Sequence, residues 1–448
     1  MNQKNPYFLL LLSAFLYGIS FIFPLTCYVC IFFSFSILFF VQVFSTLSFF
    51  YGFMWGWCAF VVHTVPLFCA LVPVVYGKCS FFIGWLVVIS YGALYAGGWF
   101  FIVRLMVKKS GSLFLRFCVV LFLYLLFFEW MSNYCLWIFD YWEGYVCFHP
   151  VLLAIHKPLV QKIVLYSGLK GGLLVIGLIS CLGTYAYYRR SVYIGLIFCC
   201  FLLLTVFPYQ CTQKLPPAWF DEIGYATVPF CSGTVEVYER IAEVTHVIRK
   251  LLTHYPSLKT IIMPESTFPF SINKYPFFAA CFVPFLKDDQ RLLVGAYRSE
   301  GEYVYNSCYC IGADGVHALY DKQHRMFFLE RIPTWFNYRL FKSWFLKDSF
   351  YFQKAEITKN VCWGKSMPFK LLICSDIFFN RLVSYADPVI CLVNDAWFKG
   401  TAIPELLYRR ALMQAIISQN DLVYVSYTRA LFIDRKGGIF PLIGYSEA

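Results

Sequence analysis

Three residues that can cooperate in acyl transfer follow apolar runs in the second half of the sequence. Glu265 follows IIMP, Lys322 follows ALYD, and Cys374 follows LLI. Because the ends of adjacent strands open onto the same rim of a sheet, these distant residues can lie near one another. A thiol is a strong nucleophile only as a thiolate, so Cys374 needs a base to take its proton.

The other two residue types could complete this chemistry. A carboxylate whose pKa is raised by burial, as Glu265 could be, can accept the thiol proton. The ammonium of Lys322 can then hold the oxyanion that forms when the thiolate attacks a carbonyl. A simpler interpretation stays open, because a Glu after a strand is usually a solvated loop residue and a buried Cys is usually inert packing.

The sequence from 209 to 448 is typical of an α/β domain, in which short apolar runs alternate with helical patterns. Apolar residues at steps of three and four predict a helix over 235–252, and a second helix is predicted over 405–420. Buried strands are predicted at five short runs and at LVYVSYT; the runs are 259–265, 291–297, 304–312, 369–376 and 388–395.

Residues 1–208 have a different composition, which predicts a helical membrane domain. Of the 448 residues, 60% are hydrophobic and 14% are charged, against about 25% charged in a soluble chain. The segment 1–208 has 11 Lys and Arg residues but only three acidic residues, whereas the segment 209–448 has 26 Lys and Arg residues and 22 acidic residues. A spanning helix needs about 20 apolar residues. Seven runs fit or nearly fit, at 7–23, 26–44, 48–74, 81–103, 113–138, 168–187 and 191–207.

The basic residues of this half predict its orientation. Arg104, Lys108 and Lys109 follow the fourth run, and Arg189 and Arg190 lie between the sixth and the seventh. If the runs alternate across the membrane, both clusters lie on one side, which the excess of positive charge assigns to the cytoplasm. Seven spans then place the domain after residue 208 on the opposite, extracytoplasmic side.

Composition argues against two other classes of function. The net charge of +12 comes from basic residues that flank apolar runs, so it does not indicate a nucleic-acid surface. Eleven of the 19 cysteines lie before residue 209, mostly within apolar runs, and the others lack the C-x-x-C and histidine spacing of a zinc site. We expect neither a metal nor another cofactor.

Two features of the first half allow a functional and a structural interpretation. Glu129 lies inside the fifth apolar run, where a carboxylate is either functional or a helix-end acid at the membrane interface. The aromatic segment 140–167 is either an arm on the lipid surface or an ordinary connecting loop.

Five strings in the second half, in this order, resemble the nitrilase superfamily and, within it, the apolipoprotein N-acyltransferases. They are MPESTFP around Glu265, YNS at 305–307, YDKQHRMFFLERIP at 320–333, ICSD at 373–376 and NDAWF at 394–398. The resemblance covers well over a hundred residues, behind a set of apolar runs as in that family.

The resemblance implies an αββα sandwich with Glu265 as general base, Lys322 as oxyanion partner and Cys374 as nucleophile. It further implies that Glu330 helps to position the triad, with Asp376, Asn394 and Trp397 in supporting roles. In that family the cysteine takes an acyl group from a phospholipid as a thioester. The amine of a diacylglyceryl-cysteine at a lipoprotein N-terminus then receives it. The implied location is the bacterial inner membrane with the catalytic domain in the periplasm, and we expect a monomer.

The sequence departs from the family pattern at several positions. Met263 stands where a tryptophan is usual, Ser375 and Asp376 replace a tyrosine and a glutamate, and Lys399 replaces a glycine. The family usually has a final membrane helix after this domain, and the sequence stops at Ala448 without another apolar run. Two alternatives remain: a membrane-anchored amidase or nitrilase that uses water as acceptor, and a non-catalytic relative that binds lipids or lipoproteins.

Overall fold

The computed structural model describes residues 6–24, 29–45, 48–71, 78–134, 149–206, 216–230, 236–325, 330, 352, 361–363, 367–378 and 388–446. The chain forms two compact units. One contains Met1–Cys211 together with Gly400–Arg409, and is called the helical unit here. The other contains Thr212–Asn337, Asp348–Lys399 and Arg410–Ala448, and is called the α/β unit.

The helical unit consists of apolar helices. They are α1 (Pro6–Ile22), α2 (Cys30–Phe44), α3 (Phe49–Leu71), α4 (Lys78–Lys109), α5 (Leu113–Tyr134), α6 (Pro150–Ala154), α7 (Pro158–Arg189) and α8 (Val192–Val206). Among the described residues, three helices are long and apolar enough to cross a membrane, at Trp85–Lys109, Leu113–Trp130 and Pro158–Arg189. Four shorter apolar helices accompany them, so seven spans remain a prediction.

Glu129 and the aromatic segment 140–167, each with two possible interpretations from the sequence, lie in or next to helices of this unit. Residues 140–148 of the aromatic segment lie outside the described residues, whereas most of the rest forms α6 and the start of α7. Gly168 has a φ of +66°, which interrupts α7 and which only glycine adopts easily. Just beyond it, Lys170 Nζ lies 3.3 Å from Glu129 Oε1 on α5, so the Glu129 carboxylate has a cationic partner.

The first sheet of the α/β unit has seven strands. In chain order they are β1 (Ile223–Thr227), β2 (Thr260–Ile262), β3 (Phe268–Ser271), β4 (Arg291–Glu300), β5 (Tyr303–Gly312), β6 (Gly315–Asp321) and the later β13 (Ile443–Ser446). The order across the sheet is β13-β1-β2-β4-β5-β6, and β3 pairs with β4. Since β2 is parallel to β4 and the β4–β5 and β5–β6 pairs are antiparallel, β2, β4 and β6 end at the same edge.

The second sheet has six strands. They are β7 (Val361–Trp363), β8 (Met367–Ile373), β9 (Val389–Leu392), β10 (Leu422–Val425), β11 (Ala430–Ile433) and β12 (Ile439–Pro441). These strands are arranged in the order β12-β11-β10-β9-β8-β7. The central strands β8, β9 and β10 are parallel, so their carboxyl ends also open onto one edge.

Each sheet has a crossover helix, as parallel strands require. Helix α9 (Val237–His254) joins β1 to β2, and its face of Ile241, Val244, Ile248 and Leu251 belongs to one core cluster with residues of the first sheet. The last long helix, α11 (Ile403–Ser418), joins β9 to β10; a short helix, α10 (Phe278–Phe282), follows β3. The sheets contact each other between β8 and both β5 and β6. This confirms the predicted αββα class of fold.

Candidate active site

Glu265 is held at the end of β2 by a strained turn. Met263 N donates to Leu293 O at 2.8 Å, which continues the pairing of β2 with β4 up to the turn. Ser266, the next residue after Glu265, has a φ of +56°, which is unfavourable for a residue with a side chain. Thr267 Oγ1 donates to Pro264 O at 2.8 Å, so a local hydrogen bond stabilises this turn.

A glycine on the neighbouring strand makes room for this turn. A Cβ added to Gly295 in β4 would lie 2.5 Å from Glu265 Cα and 2.6 Å from Pro264 O, closer than real atoms approach. The backbone that carries the carboxylate therefore packs directly on β4. The sequence reasoning did not single out Gly295; a glycine inside an otherwise apolar strand is the signal of such a close backbone approach.

Lys322 directly follows β6 and lies between two carboxylates. Its Nζ is 3.0 Å from Glu265 Oε1 and 2.9 Å from Glu330 Oε1. Asn306 on β5 is hydrogen-bonded to Glu265, Glu330 and Lys322. Its side-chain Nδ2 donates to Glu265 at 2.7 Å and to Glu330 at 3.1 Å. Its backbone carbonyl accepts from the backbone N–H of Lys322 at 2.8 Å. The YNS string of the sequence does not by itself indicate this role for Asn306.

Cys374 begins a 3-10 turn, Cys374–Phe378, directly after β8. It is buried and has a φ of +47°, so the backbone is strained at the proposed nucleophile as well as beside the proposed base. From α11 the buried side chain of Arg410 donates to the Ile377 carbonyl at 2.8 Å and to the Phe378 carbonyl at 3.4 Å. These bonds fix the far end of the turn.

The titratable groups of the site perturb one another. Burial raises the pKa of Glu265 above its ordinary value and Glu330 raises it further, although Lys322 and Asn306 oppose the shift. Burial alone would lower the pKa of Lys322, but the charges of Glu265 and Glu330 outweigh it and raise that pKa well above 10.5. Burial and the charge of Glu265 raise the pKa of Cys374 well above its ordinary value. The resting site therefore has a protonated thiol, a lysine cation and a carboxyl group that binds a proton more readily than an ordinary glutamate does.

The carboxylate of Asp376 links the nucleophile turn to the residues after Lys322. It accepts from Tyr320 OH at 2.8 Å, from His324 N at 2.7 Å and from Ile373 N at 3.1 Å, and it is completely buried. Ser375 Oγ donates to His324 O at 2.5 Å. Asp376 and Ser375 thus hold together two segments that the sequence separates by about fifty residues.

The NDAWF residues contribute a backbone donor and an aromatic surface. Asn394 follows β9, and its backbone N–H donates to Glu265 Oε2 at 2.8 Å. Trp397 packs edge-on against Phe230, at 5.0 Å between ring centroids, and Phe230 packs in the same way on Tyr427 at 5.4 Å. Tyr427 OH donates to Ser266 O at 3.3 Å, which brings this aromatic group to the turn of the proposed base.

Met263 and Lys399, the remaining departures from the family pattern, lie in the core and at the surface respectively. Met263 is buried in the core cluster of the first sheet, where its apolar side chain fits. Lys399 is exposed, directly after the turn Ala396–Phe398. The sequence did not indicate the site contacts of Asn306, Phe230, Tyr427, Gly295, Tyr320 and Arg410.

The chain is similar to curated proteins named apolipoprotein N-acyltransferase, as the motifs predicted. It is 26% identical over 203 residues to one from Sinorhizobium medicae (strain WSM419) and 26% identical over 207 residues to one from Rhizobium meliloti (strain 1021). Each match covers 42% of this chain and 38% of the relative, so the similarity spans less than half of the relatives' length. No family model matches the chain.

Among solved structures, the carbon-nitrogen hydrolase from Helicobacter pylori G27 is similar over 50% of this chain and 85% of its own, with a TM-score of 0.35 and 14% identity. Nit3 from Saccharomyces cerevisiae, a member of branch 10 of the nitrilase superfamily, is similar over 47% and 82%, with a TM-score of 0.32 and 14% identity.

Proposed function

We propose that this chain is an acyltransferase of the apolipoprotein N-acyltransferase type. It takes an acyl chain from a phospholipid onto Cys374 and passes it to the amine of a diacylglyceryl-cysteine at a lipoprotein N-terminus. The observation that carries the proposal is the buried lysine cation of Lys322, which lies between the carboxylates of Glu265 and Glu330 within electrostatic reach of Cys374. The curated relatives supply the substrate class.

In the first step, Glu265 takes the proton of the Cys374 thiol as the sulfur attacks the ester carbonyl. The raised pKa of Glu265 makes it a stronger base, which offsets part of the difficulty of taking a proton from a thiol whose pKa is also raised. Lys322 Nζ is held by one oxygen of Glu265 and by both oxygens of Glu330, and its positive charge can stabilise the developing oxyanion. The C–O bond then breaks, and Glu265 returns its proton to the leaving lysophospholipid oxygen.

In the second step, the amine nitrogen attacks the thioester carbonyl and the C–S bond breaks. Glu265 accepts a proton from the attacking amine and returns it to the Cys374 sulfur, which regenerates the starting site. Glu330 and Asn306 keep the lysine cation and the base at fixed positions through both steps. Such a fixed arrangement lowers the barrier because no charged group has to reorganise during the reaction.

The helical unit suits substrates that stay in lipid. Its three long apolar helices and four shorter ones support a multi-pass membrane protein. From the basic residues of the first half we propose that the α/β unit faces the periplasm of a bacterium and that the helices lie in the inner membrane. The partners proposed are the bilayer, the phospholipid donor and the lipoprotein acceptor.

The test follows both halves of the reaction in one mixture. Purified protein in detergent receives a phospholipid labelled in its acyl chains and a diacylglyceryl-cysteine lipopeptide with a free amine. The proposal predicts labelled N-acylated lipopeptide, none with Cys374→Ala, and little with the control lipopeptide whose amine is acetylated. Labelled free fatty acid without N-acylated lipopeptide would instead identify a hydrolase, and binding without any product would identify a non-catalytic relative.

A further inference from the structure

The side chain of Asn394 lies beside the proposed base with both polar atoms unused. Only 4% of this residue is exposed, and its backbone N–H is bonded to Glu265 Oε2 at 2.8 Å. Among the described residues, neither Oδ1 nor Nδ2 of Asn394 has a hydrogen-bond partner. The carboxamide is therefore a buried and unpaired polar group, only a few covalent bonds from a nitrogen that contacts the base.

Such a group needs an explanation, because it destabilises the fold. A buried donor or acceptor left unpaired costs about 1–3 kcal/mol, and native proteins leave few of them. Asn306, the other carboxamide of the site, differs because its Nδ2 donates to two carboxylates. In the described part of the α/β unit, Asn394 is the one amide side chain with both polar atoms unpaired.

The chemistry of a carboxamide discriminates between the two substrates of the proposed reaction. Its oxygen accepts a hydrogen bond and its nitrogen donates. The ester carbonyls and the phosphate of a phospholipid only accept, so the groups around the reacting ester offer no donor to the Asn394 oxygen. A peptide N-terminus has both kinds of partner within one residue, since its amine donates and its carbonyl accepts.

We propose that the Asn394 carboxamide binds the N-terminal residue of the acyl acceptor. Its Oδ1 accepts from the α-amine, and its Nδ2 donates to the carbonyl of the same cysteine residue. Because the Asn394 backbone is bonded to Glu265, this contact brings the amine next to the base that must take its proton. The inference rests on the proposed function and assigns to that site the recognition of its second substrate.

The experiment measures the two half-reactions separately in Asn394→Leu, which keeps the approximate size of the side chain. Acylation of the protein is followed as mass added from phospholipid. Deacylation of the isolated acyl-enzyme is followed with the lipopeptide and, separately, with hydroxylamine, an amine that has no peptide carbonyl. Asn420→Leu is the matched control, because Asn420 is also 4% exposed but precedes β10, at the opposite end of the β9–β10 pair from Asn394.

We expect Asn394→Leu to slow deacylation by the lipopeptide on the order of 10- to 100-fold, which corresponds to the loss of one or two buried hydrogen bonds. The rate of acylation by phospholipid and the rate of deacylation by hydroxylamine should fall much less. Asn420→Leu should leave the ratios among these two rates and the rate of deacylation by the lipopeptide unchanged. Replacing an unpaired polar group by an apolar one should leave the melting temperature at or above that of the wild type. Asn394→Ala gives the same comparison if the leucine variant does not fold.

An equal loss in all three rates would assign Asn394 a structural role and overturn the inference. A loss confined to acylation would assign it to the phospholipid, which also overturns it. If the wild type forms no acyl-enzyme, the proposed function itself fails. If it forms one and transfers the chain, but Asn394→Leu does so at the wild-type rate, only the inference fails.

Discussion

Replacement of Asp376 by asparagine tests whether the contacts of its carboxylate hold the site together. The carboxylate accepts three hydrogen bonds of 2.7–3.1 Å, from His324 N at one oxygen and from Tyr320 OH and Ile373 N at the other. An amide of the same shape has only one oxygen. Whichever way it turns, its NH2 group faces a donor, so at least one buried N–H or O–H loses its acceptor.

The size of the effect follows from these contacts. Leaving one buried donor unpaired costs about 1–3 kcal/mol, and a bond to a neutral acceptor is weaker by about 1 kcal/mol than one to a charged acceptor. We expect Asp376→Asn to lower the free energy of unfolding by about 3 kcal/mol. For a unit of this size, that corresponds to a fall in melting temperature of roughly 6–12 °C. Since Asp376 positions the turn of Cys374, acylation should also slow, by about 100-fold for a displacement of about 1 Å.

The assay is thermal unfolding of the purified protein in detergent, combined with the rate of acyl-enzyme formation. Asp434→Asn is the matched control, since Asp434 Oδ1 also accepts two backbone N–H bonds, at 2.7 and 2.8 Å, but in a turn that water reaches. Its unfolding free energy should change by less than about 0.5 kcal/mol. If Asp376→Asn melts within about 2 °C of the wild type and acylates at the same rate, the carboxylate does not hold the two segments together.

Three further predictions concern the base, the strand behind it and a buried ion pair. Because burial and Glu330 raise the pKa of Glu265, the acylation rate should fall as the pH is lowered through that pKa. Glu330→Gln should move this limb of the pH–rate profile to lower pH. A shift to higher pH would contradict the assignment of Glu265 as the base. Gly295→Ala should slow acylation by at least about 10-fold, because its Cβ would displace the backbone of Glu265, and a wild-type rate would show that the turn can move freely. Arg298→Met should lower the unfolding free energy by about 3 kcal/mol, because the buried Asp321 carboxylate lies 2.8 Å from the Arg298 guanidinium and would lose this cation. Denaturant unfolding measures the effect, and a change below about 1 kcal/mol would contradict the prediction.

The main elements of the α/β unit could be predicted because their apolar periodicity is strong. The helix predicted over 235–252 is α9 (Val237–His254), and the strand predicted over 304–312 is β5 (Tyr303–Gly312). Two of the short strands, β1 and β12, could not be predicted in this way. β1 has the sequence IGYAT and β12 has IFP, so a glycine or a proline interrupts a run that is already too short to show a period.

Part of the candidate site follows from strand order and part requires the coordinates. Glu265 and Lys322 follow parallel strands of one sheet, so the topology places them at the same edge; their contact across the intervening β4 and β5 requires the coordinates. Asn306 lies within β5 and Gly295 within β4, where the sequence shows only residues of a strand interior. The unpaired carboxamide of Asn394 is visible only when its surroundings are known.

The most direct test of the thioester mechanism is the intact mass of the purified protein after brief exposure to a phospholipid of a single acyl composition. The thioester mechanism predicts the mass of one acyl chain added at Cys374, removed by the diacylglyceryl-cysteine lipopeptide and absent from Glu265→Gln. Acylated lipopeptide formed without any acyl group on Cys374, or formed equally by Cys374→Ala, would contradict it.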